Sequence, residues 1–569
     1  MIESIKLKLK NILENVILNR FDVSVNIIVE APKRKEQGDL SIPVFTIAKA
    51  LQKPLSDVMK IINETIETSP LSSFFSDYLA IGGFFNIKLN SIAIIKFVVD
   101  DFANHQKDYG HSLIGEGKTV CIDYSSPNIA KPFSVGHLRS TIIGHSLGNL
   151  LEKCGYKVVR INHLGDFGTQ FGKIIYAYQH FGDETLIRKD PINELVKLYV
   201  EFHERAKNNP EMDDEARRIF KELEQGNPEY TNLWNWFRKV SLEDYMKVYE
   251  KLNVHFDSYN GEAFYNDKMQ PIIDELSEKG LLKEDEGAMI VDLGEEMPPA
   301  LIQKSDGSTL YITRDLAALF YRKKTYNFSK CLYVVGNEQK LHFEQIKAVS
   351  KLMGYPYDKE IEHINFGLVL QDGKKMSTRK GKIVKLDDVL DEACHLSLVY
   401  INEKNPELEN KKLISQKIGV SAVVFNDLKN YRANDFEFNL EDMVRFEGQT
   451  GPYLQYTSVR IASILNAESF EFNGNIDYMR LANESEFEII KVISQYQMTV
   501  EKSAIESSPS ILAKYLLNLA SLFNSYYGKE KIIVENLIEK NTKKHLLAMV
   551  KYILDDGMTL LGMQVIDKM

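Results

Sequence analysis

The chain has 569 residues, 44% hydrophobic and 26% charged, which is material for roughly three or four domains with cores of their own. A formal net charge of -10 excludes a uniformly basic coat, so any contact with nucleic acid must come from local patches. Cys121, Cys154, Cys331 and Cys394 are scattered and form no CxxC pair, which argues against zinc or a redox dithiol and fits free thiols in a reducing cytoplasm.

The N-terminal run MIESIKLKLKNILENVIL mixes Lys and Glu with its apolar residues, so it lacks the apolar core of a signal peptide. No later stretch is long and apolar enough for a membrane span. Ile5, Leu9, Ile12 and Val16 share one face of a first helix, and the alternation Val23, Val25, Ile27, Val29 predicts a strand after it. A further strand alternates Phe85, Ile87 and Leu89 behind Gly82-Gly83, giving a small α/β module over residues 1–112 with a linker from Asp100 to Lys118. Its basic turn Lys33-Arg34-Lys35 leads into QGDLS; such a run is a solvated turn by default and an RNA-phosphate contact in the alternative.

Thr119 to Asp123 is apolar and β-branched enough for a buried strand, and Pro127 and Pro132 then forbid regular structure. Past Gly136 an amphipathic helix is expected, with Ile143, Leu147, Leu150, Leu151 and Cys154 on one face and Gly155 as its stop. Lys157 to Ile161 follows as a second strand, completing a βαβ unit. Its odd residues lie at the strand-to-helix turn, where open parallel sheets bind ligands and a helix start offers N–H groups to an anion. There Gly136 would let a phosphate approach the backbone, and His137 and Lys131 would bring cationic or hydrogen-bonding tips. A helix cap with a packed histidine is the alternative.

The next strand end carries NHLGDFGTQFG, Asn162 to Gly172. Residues 173–300 read as a charged helical insertion, with Leu233, Trp236, Phe237 and Val240 on one helix face. The sheet resumes with YITRDLAALFYR, the strand Cys331 to Val335, the polar turn Gly336 to Gln339 and a helix from Lys340 to Leu352. A last strand, Ile364 to Leu370, runs into QDGKKMSTRKG, a loop able to wrap a triphosphate. From about Leu386 onward the chain reads as helices, with stripes such as Leu512, Leu516, Leu519, Phe523 and Leu546, Met549, Val550, Ile553. Among them FEGQTGPYLQYTSVR gathers aromatics and Arg460, which serve either packing or the stacking of RNA bases.

SSPNIAKPFSVGHLRST before a helix and KKMSTRKG on a distant loop resemble the two signature motifs of class I aminoacyl-tRNA synthetases. With GDLS, GGFFN, NHLGDFGTQFG, YITRDLAA and FEGQTGPYLQY, nearly the whole chain is similar to the arginyl-tRNA synthetases. The resemblance implies an α/β Rossmann-type parallel-sheet catalytic domain over residues 113–395, a small N-terminal α/β domain, and an all-α tRNA-binding domain over 396–569. It implies activation of L-arginine by ATP, with magnesium on the nucleotide and no zinc, then transfer to the 3' end of tRNA-Arg, with tRNA needed for activation; a monomer is expected. It assigns catalysis to His137, Lys131 and Lys375, and ATP binding to Ser134, Gly136, His137, Lys375, Met376, Ser377, Thr378 and Arg379. Arginine falls to Asp123, Ser126, Asn128, Tyr311, Asp315 and Gln339, with Asp315 as the guanidinium's carboxylate because a buried guanidinium needs a paired acid in fork geometry.

Two positions depart from the family pattern. Ser134 stands where the first motif usually has histidine, and Ser377-Thr378-Arg379 stands where many class I enzymes have Ser-Lys-Ser, leaving Lys131, Arg379 or Lys380 to supply the missing charge. Another nucleotidyl transferase would lack the long helical tail. A non-catalytic tRNA-binding paralogue would have no reason to keep Gly136, His137, Lys375 and Ser377 together.

Overall fold

The computed structural model describes residues 2–305, 311–376, 378–379, 382–467 and 476–569. Its first helix, Ile2–Phe21, buries Ile2, Ile5, Leu9, Leu13 and Ile17, so the seam runs one residue beyond Ile12 and Val16, which lie half-buried beside it. The segment Val23 to Val29 does alternate inward and outward, yet it forms no ladder. Its Ile27 N–H bonds to the Glu14 carboxylate at 2.8 Å, and only Glu30 bridges to Ser41. The N-terminal sheet is built instead from Leu40–Pro43, Phe84–Leu89 and Phe75–Ile81, in that antiparallel order, so QGDLS supplies a strand.

The central sheet has four parallel strands in the order Ile361–His363, Lys330–Tyr333, Thr119–Asp123, Lys157–Ile161. The chain moves from Thr119–Asp123 to one neighbour and returns, much later, to the other. The strand order therefore reverses beside Asp123, and the crevice at the carboxyl ends of Thr119–Asp123 and Lys330–Tyr333 is the natural ligand site of such a sheet. The helix between the first two strands, Val135–Lys153, is buried almost all round rather than amphipathic: Arg139, Ser140, Thr141, His145 and Ser146 are all inside. The sheet covers one side and the C-terminal helices the other, where Ser146 Oγ donates to the Leu560 carbonyl at 3.0 Å. A Cβ on Gly144 would meet the Tyr124 ring at 2.3 Å, and one on Gly148 the Arg160 guanidinium at 3.0 Å, so these two glycines serve packing.

The segment 173–300 is helical as far as Leu252 and again over Met269–Glu278, but it ends in an antiparallel meander of Leu282–Asp285, Ala288–Val291 and Ala300–Gln303. The single strand expected over Ile364 to Leu370 is strand only at its end, between two separate ladders. Ile361–His363 closes the parallel sheet, and Val369–Gln371 belongs to a small sheet with Lys374–Lys375 and Phe436–Glu437. The break comes from Arg432, whose guanidinium binds the Asn365 carbonyl at 2.6 Å and whose own carbonyl accepts from Gly367 N–H at 3.0 Å. The helix Leu386–Lys404 then runs straight through residue 396, so the helical region has no break there. Among the described residues no helix is long and apolar enough to cross a membrane.

Candidate active site

The turn from Asp123 to Val135 holds three non-glycine residues in the left-handed region: Ser125 at φ 72°, Ser126 at φ 48° and Ala130 at φ 59°. Each costs about 1 kcal/mol or more, and such strain persists only where neighbours over-determine it. Here Ser140 Oγ holds the Ser125 N–H at 2.9 Å, and Thr141 and Tyr249 hydroxyls lie 2.8 Å from Ser125 Oγ. Tyr245 Oη sits 2.6 and 2.7 Å from the Asn128 and Lys131 carbonyls. Tyr245 and Tyr249 come from the insertion's long helix, Pro228–Leu252, which therefore braces the turn.

At the helix start Ser134 is the N-cap residue. Its N–H donates to His137 Nδ1 at 3.1 Å, which leaves the proton of the neutral ring on Nε2. Burial pulls His137 down to about 4, and nearby Lys131 adds to it. His137 is thus a neutral hydrogen-bond donor, not a cation. Asn128, Lys131, Ser134 and His137 share one cavity of about 350 Å³, closed on its far side by Tyr199 and Val196 of the insertion.

Gly136 is exposed, and a Cβ there would meet only Ser134 Oγ at 3.4 Å. Neither packing nor backbone conformation demands glycine, and the helix start presents an open face there. Gly136→Ala should leave the melting temperature within about 1–2 °C of wild type, since helical alanine is favoured over glycine by about 1 kcal/mol, while raising the KM for ATP. An unchanged ATP KM in steady-state kinetics would detach Gly136 from the nucleotide.

The second signature begins as a hairpin. Leu370 pairs with Lys375 and Gln371 with Lys374 across Asp372 (φ 53°) and Gly373 (φ 69°), the two left-handed residues of a tight turn. Lys375 is exposed, whereas Met376 is only 6% exposed, its side chain in the core and its N–H bonded to the Val369 carbonyl at 2.8 Å. Ser377 and Lys380 lie outside the described residues, and for Thr378 and Arg379 the backbone alone is described, pairing with Lys382–Ile383. The returning chain is laced to the first signature: Val135 N–H donates to the Val384 carbonyl at 3.1 Å, Leu386 N–H to the Phe133 carbonyl at 2.9 Å, and Ser134 bridges Lys385.

On the other side of the crevice the acids divide their work. Asp123 is buried, with one oxygen 2.7 Å from Arg322 Nη2 and the other accepting from Ser126 Oγ at 3.0 Å. Asp123 and Ser126, both expected at the arginine pocket, are thus joined to each other and to Arg322, which supplies the partner that a carboxylate this far inside needs. Arg322 also reaches His163 Nδ1 at 3.3 Å and lies over the Tyr333 ring at 5.4 Å.

Asp315 keeps 29% of its side chain exposed and accepts from His342 Nε2 at 2.6 Å. Burial works against its charge, yet His342, His163 and Arg322 together hold its carboxyl below the usual range. Tyr311, 69% exposed, stands one turn earlier on the same helix, Tyr311–Tyr326, and Gln339 is exposed at the end of the turn after Lys330–Tyr333. Asn128, also exposed, abuts Gly165, where a Cβ would lie 2.2 Å from its Oδ1.

Sequence reasoning missed four groups in this half: His163, Arg322, His342 and Glu262. Arg322 lies seven residues after Asp315, two helical turns along the same face, which is a legible spacing. Glu262 had no signal. It sits in a turn fixed by Asp166, whose carboxylate accepts from Ala263 N–H at 2.9 Å and from Arg238 at 2.7 Å. Burial, with repulsion from Asp315 and Asp166, pushes Glu262 up to about 7 against the pull of Arg314, whose Nη1 is 3.9 Å away.

A second cavity, of about 620 Å³, opens in the helical region between Tyr400, Phe446, Tyr456, Arg460 and Met569. Arg460 lies over the rings of Tyr456 at 4.7 Å and Tyr527 at 5.2 Å.

With this geometry in view, the comparisons with known proteins agree. Residues 99–440 match the family "tRNA synthetases class I (R), catalytic domain", residues 3–89 the "Arginyl tRNA synthetase N terminal domain", and residues 454–569 the "DALR anticodon binding domain". The chain is 48% identical over 543 residues to an arginine–tRNA ligase of Enterococcus faecalis, covering 95% of each, and 49% identical over 543 residues to one of Streptococcus suis, covering 95% of this chain and 96% of that one. The arginyl-tRNA synthetase structure from Plasmodium falciparum superposes with a TM-score of 0.81 at 26% identity over 99% of each chain. That from Thermus thermophilus, at 23% identity and a TM-score of 0.82 over 99% of this chain and 100% of that one, supports the fold. The chain belongs to the arginyl-tRNA synthetases of class I, the ATP-dependent ligases that join arginine to tRNA-Arg.

Proposed function

We propose that ATP lies along the crevice with its phosphates at the start of Val135–Lys153, between His137 and the Val369–Lys375 hairpin, and that arginine lies across it with its guanidinium at Asp315. What carries this reading is convergence: the His137 cavity and the partly exposed Asp315 carboxylate lie toward the carboxyl ends of neighbouring strands, where the strand order reverses. The arginine carboxylate then attacks the α-phosphorus in line, and catalysis rests on positioning and on stabilising the phosphate oxygens. His137 donates from Nε2, Gly136 N–H and the helix start receive an oxygen, and Lys131 and Lys375 bring positive charge. Magnesium travels on the nucleotide. Among the described residues no group of three His, Cys, Asp or Glu could hold a metal ion by itself.

Tyr311 and Gln339 flank the substrate, and Glu262 joins Asp315 as a second acid facing the guanidinium. The Arg460 cavity takes bases of the tRNA by stacking, and the exposed Lys33 and Arg34 touch its backbone. The enzyme works as a monomer in the cytoplasm. Pyrophosphate exchange, run with each amino acid with and without total tRNA, tests the whole reading: exchange is expected with arginine alone and only when tRNA is present. Exchange with another amino acid, or none with arginine, overturns it.

Glu262 makes the arginine KM depend on pH. A bound guanidinium favours the charged carboxylate, whereas the empty site's Glu262 takes a proton near pH 7. Below that pH arginine must displace the proton, so KM should rise as pH falls from 8 to 6, approaching about tenfold per unit. In Glu262→Gln the KM should be higher throughout and lose this slope. A wild-type KM flat across that range places Glu262 outside the pocket.

A further inference from the structure

We infer that Arg139, paired with Asp427, is a positioning residue for the adenylation step: it fixes the second signature hairpin at a set distance from His137. Arg139 lies two residues beyond His137 on Val135–Lys153, and both it and Asp427 are 1% exposed. Its Nε lies 3.2 and 3.1 Å from the two Asp427 oxygens, and its Nη1 donates to the Asn434 carbonyl at 2.9 Å. The guanidinium sits over the Phe436 ring at 5.0 Å and the Phe366 ring at 5.9 Å.

Those partners are the base of the hairpin. Phe436 pairs with Val369, the first residue of the strand that enters the Asp372-Gly373 turn, and Phe436 N–H donates to the Leu368 carbonyl at 3.1 Å. Phe366 bridges Gly336, and its carbonyl accepts from Asn337 N–H at 3.2 Å, so the Gln339 turn hangs from the same point. Asp427 comes from Lys411–Leu428, a helix of the C-terminal region. One side chain of the first signature helix therefore grips the strand that carries the second signature, the turn that carries Gln339 and the helical region.

Packing alone does not ask for charge here. A buried ion pair gives little net stability, and apolar residues of similar volume often do as well or better. What the pair supplies is direction, because a guanidinium held by a carboxylate, a carbonyl and two rings has one orientation. The two signatures must meet the same phosphates, and a misplacement of about 1 Å can cost about a hundredfold in rate.

The test is the double variant Arg139→Met/Asp427→Leu in the full chain, followed by melting temperature and by pyrophosphate exchange with tRNA. A melting temperature at or above wild type is expected, with kcat down roughly ten- to hundredfold and the arginine KM within about twofold. Should the double variant not fold, Arg139→Lys replaces it: lysine keeps the charge but cannot reach Asp427 and the Asn434 carbonyl together, and the same loss of kcat is expected. Wild-type kcat in either folded variant overturns the inference. It rests on the nucleotide reading above, and the two fail differently: if that reading is wrong, His137→Ala leaves exchange intact, whereas if only this inference is wrong, His137→Ala remains damaging and the charge-free pair is harmless.

Discussion

Asp315→Asn should raise the KM for arginine by about two orders of magnitude or more while leaving the KM for ATP nearly unchanged. The substitution keeps the shape and an acceptor for His342, so the fold is not at stake. What it removes is the charge facing the guanidinium, and breaking one side of a buried pair costs about 3 to 5 kcal/mol. Lysine should remain a poor substrate of the wild type, because a point charge cannot make the two parallel bonds of a guanidinium. Citrulline, which keeps the shape and loses the charge, should fail as well. Exchange kinetics over arginine and ATP concentrations give both constants. An arginine KM equal to wild type would move the assignment to Glu262, since Asp123 is already taken by Arg322.

His137→Ala should lower kcat for exchange about a hundred- to a thousandfold, the effect of removing one donor to a transition-state oxyanion at about 3 to 4 kcal/mol. Affinity for tRNA, measured by filter binding, should hardly change. The ring's pKa has moved down to about 4, so it is neutral throughout the working range and loses its Nδ1 acceptor role only as pH falls toward 4. The wild-type rate between pH 6 and 8 should accordingly show no ionisation that disappears in His137→Ala. Near wild-type turnover in the variant would remove His137 from the mechanism.

The sequence showed most where a local pattern has one structural meaning. Thr119 to Asp123 and Lys157 to Ile161 are the strands expected, and the ligand-binding turn lies between them. Patterns that needed a partner were less legible. Val23 to Val29 alternate as a strand does, but no neighbour came to pair with them, because the Glu14 side chain takes the Ile27 N–H. Ile364 to Leu370 is apolar enough for one strand, and only the distant Arg432 explains why its first part joins no ladder. The helix Val135–Lys153 looks amphipathic until the C-terminal helices are seen to cover its polar side. In the site, Asp315 could be named from its motif. The pairing of Asp123 with Arg322 was not legible, because the two lie about 200 residues apart along the chain, and Glu262 stands alone in an unremarkable stretch.

The bridge between Ser134 and Lys385 joins positions separated by nearly half the chain. Closing so long a loop is slow compared with forming either helix or hairpin alone, because its entropy must be lost before its contacts form. During synthesis, then, the parallel sheet can gather its first strands early, but the wall that the second signature adds to the nucleotide site arrives only after the last strand and the start of Leu386–Lys404 have emerged. A half-made chain has the strained turn and the glycine face but nothing across from them. The enzyme's chemistry is in this sense a late event in its own biosynthesis, withheld until the chain is long enough for its ends of the crevice to meet.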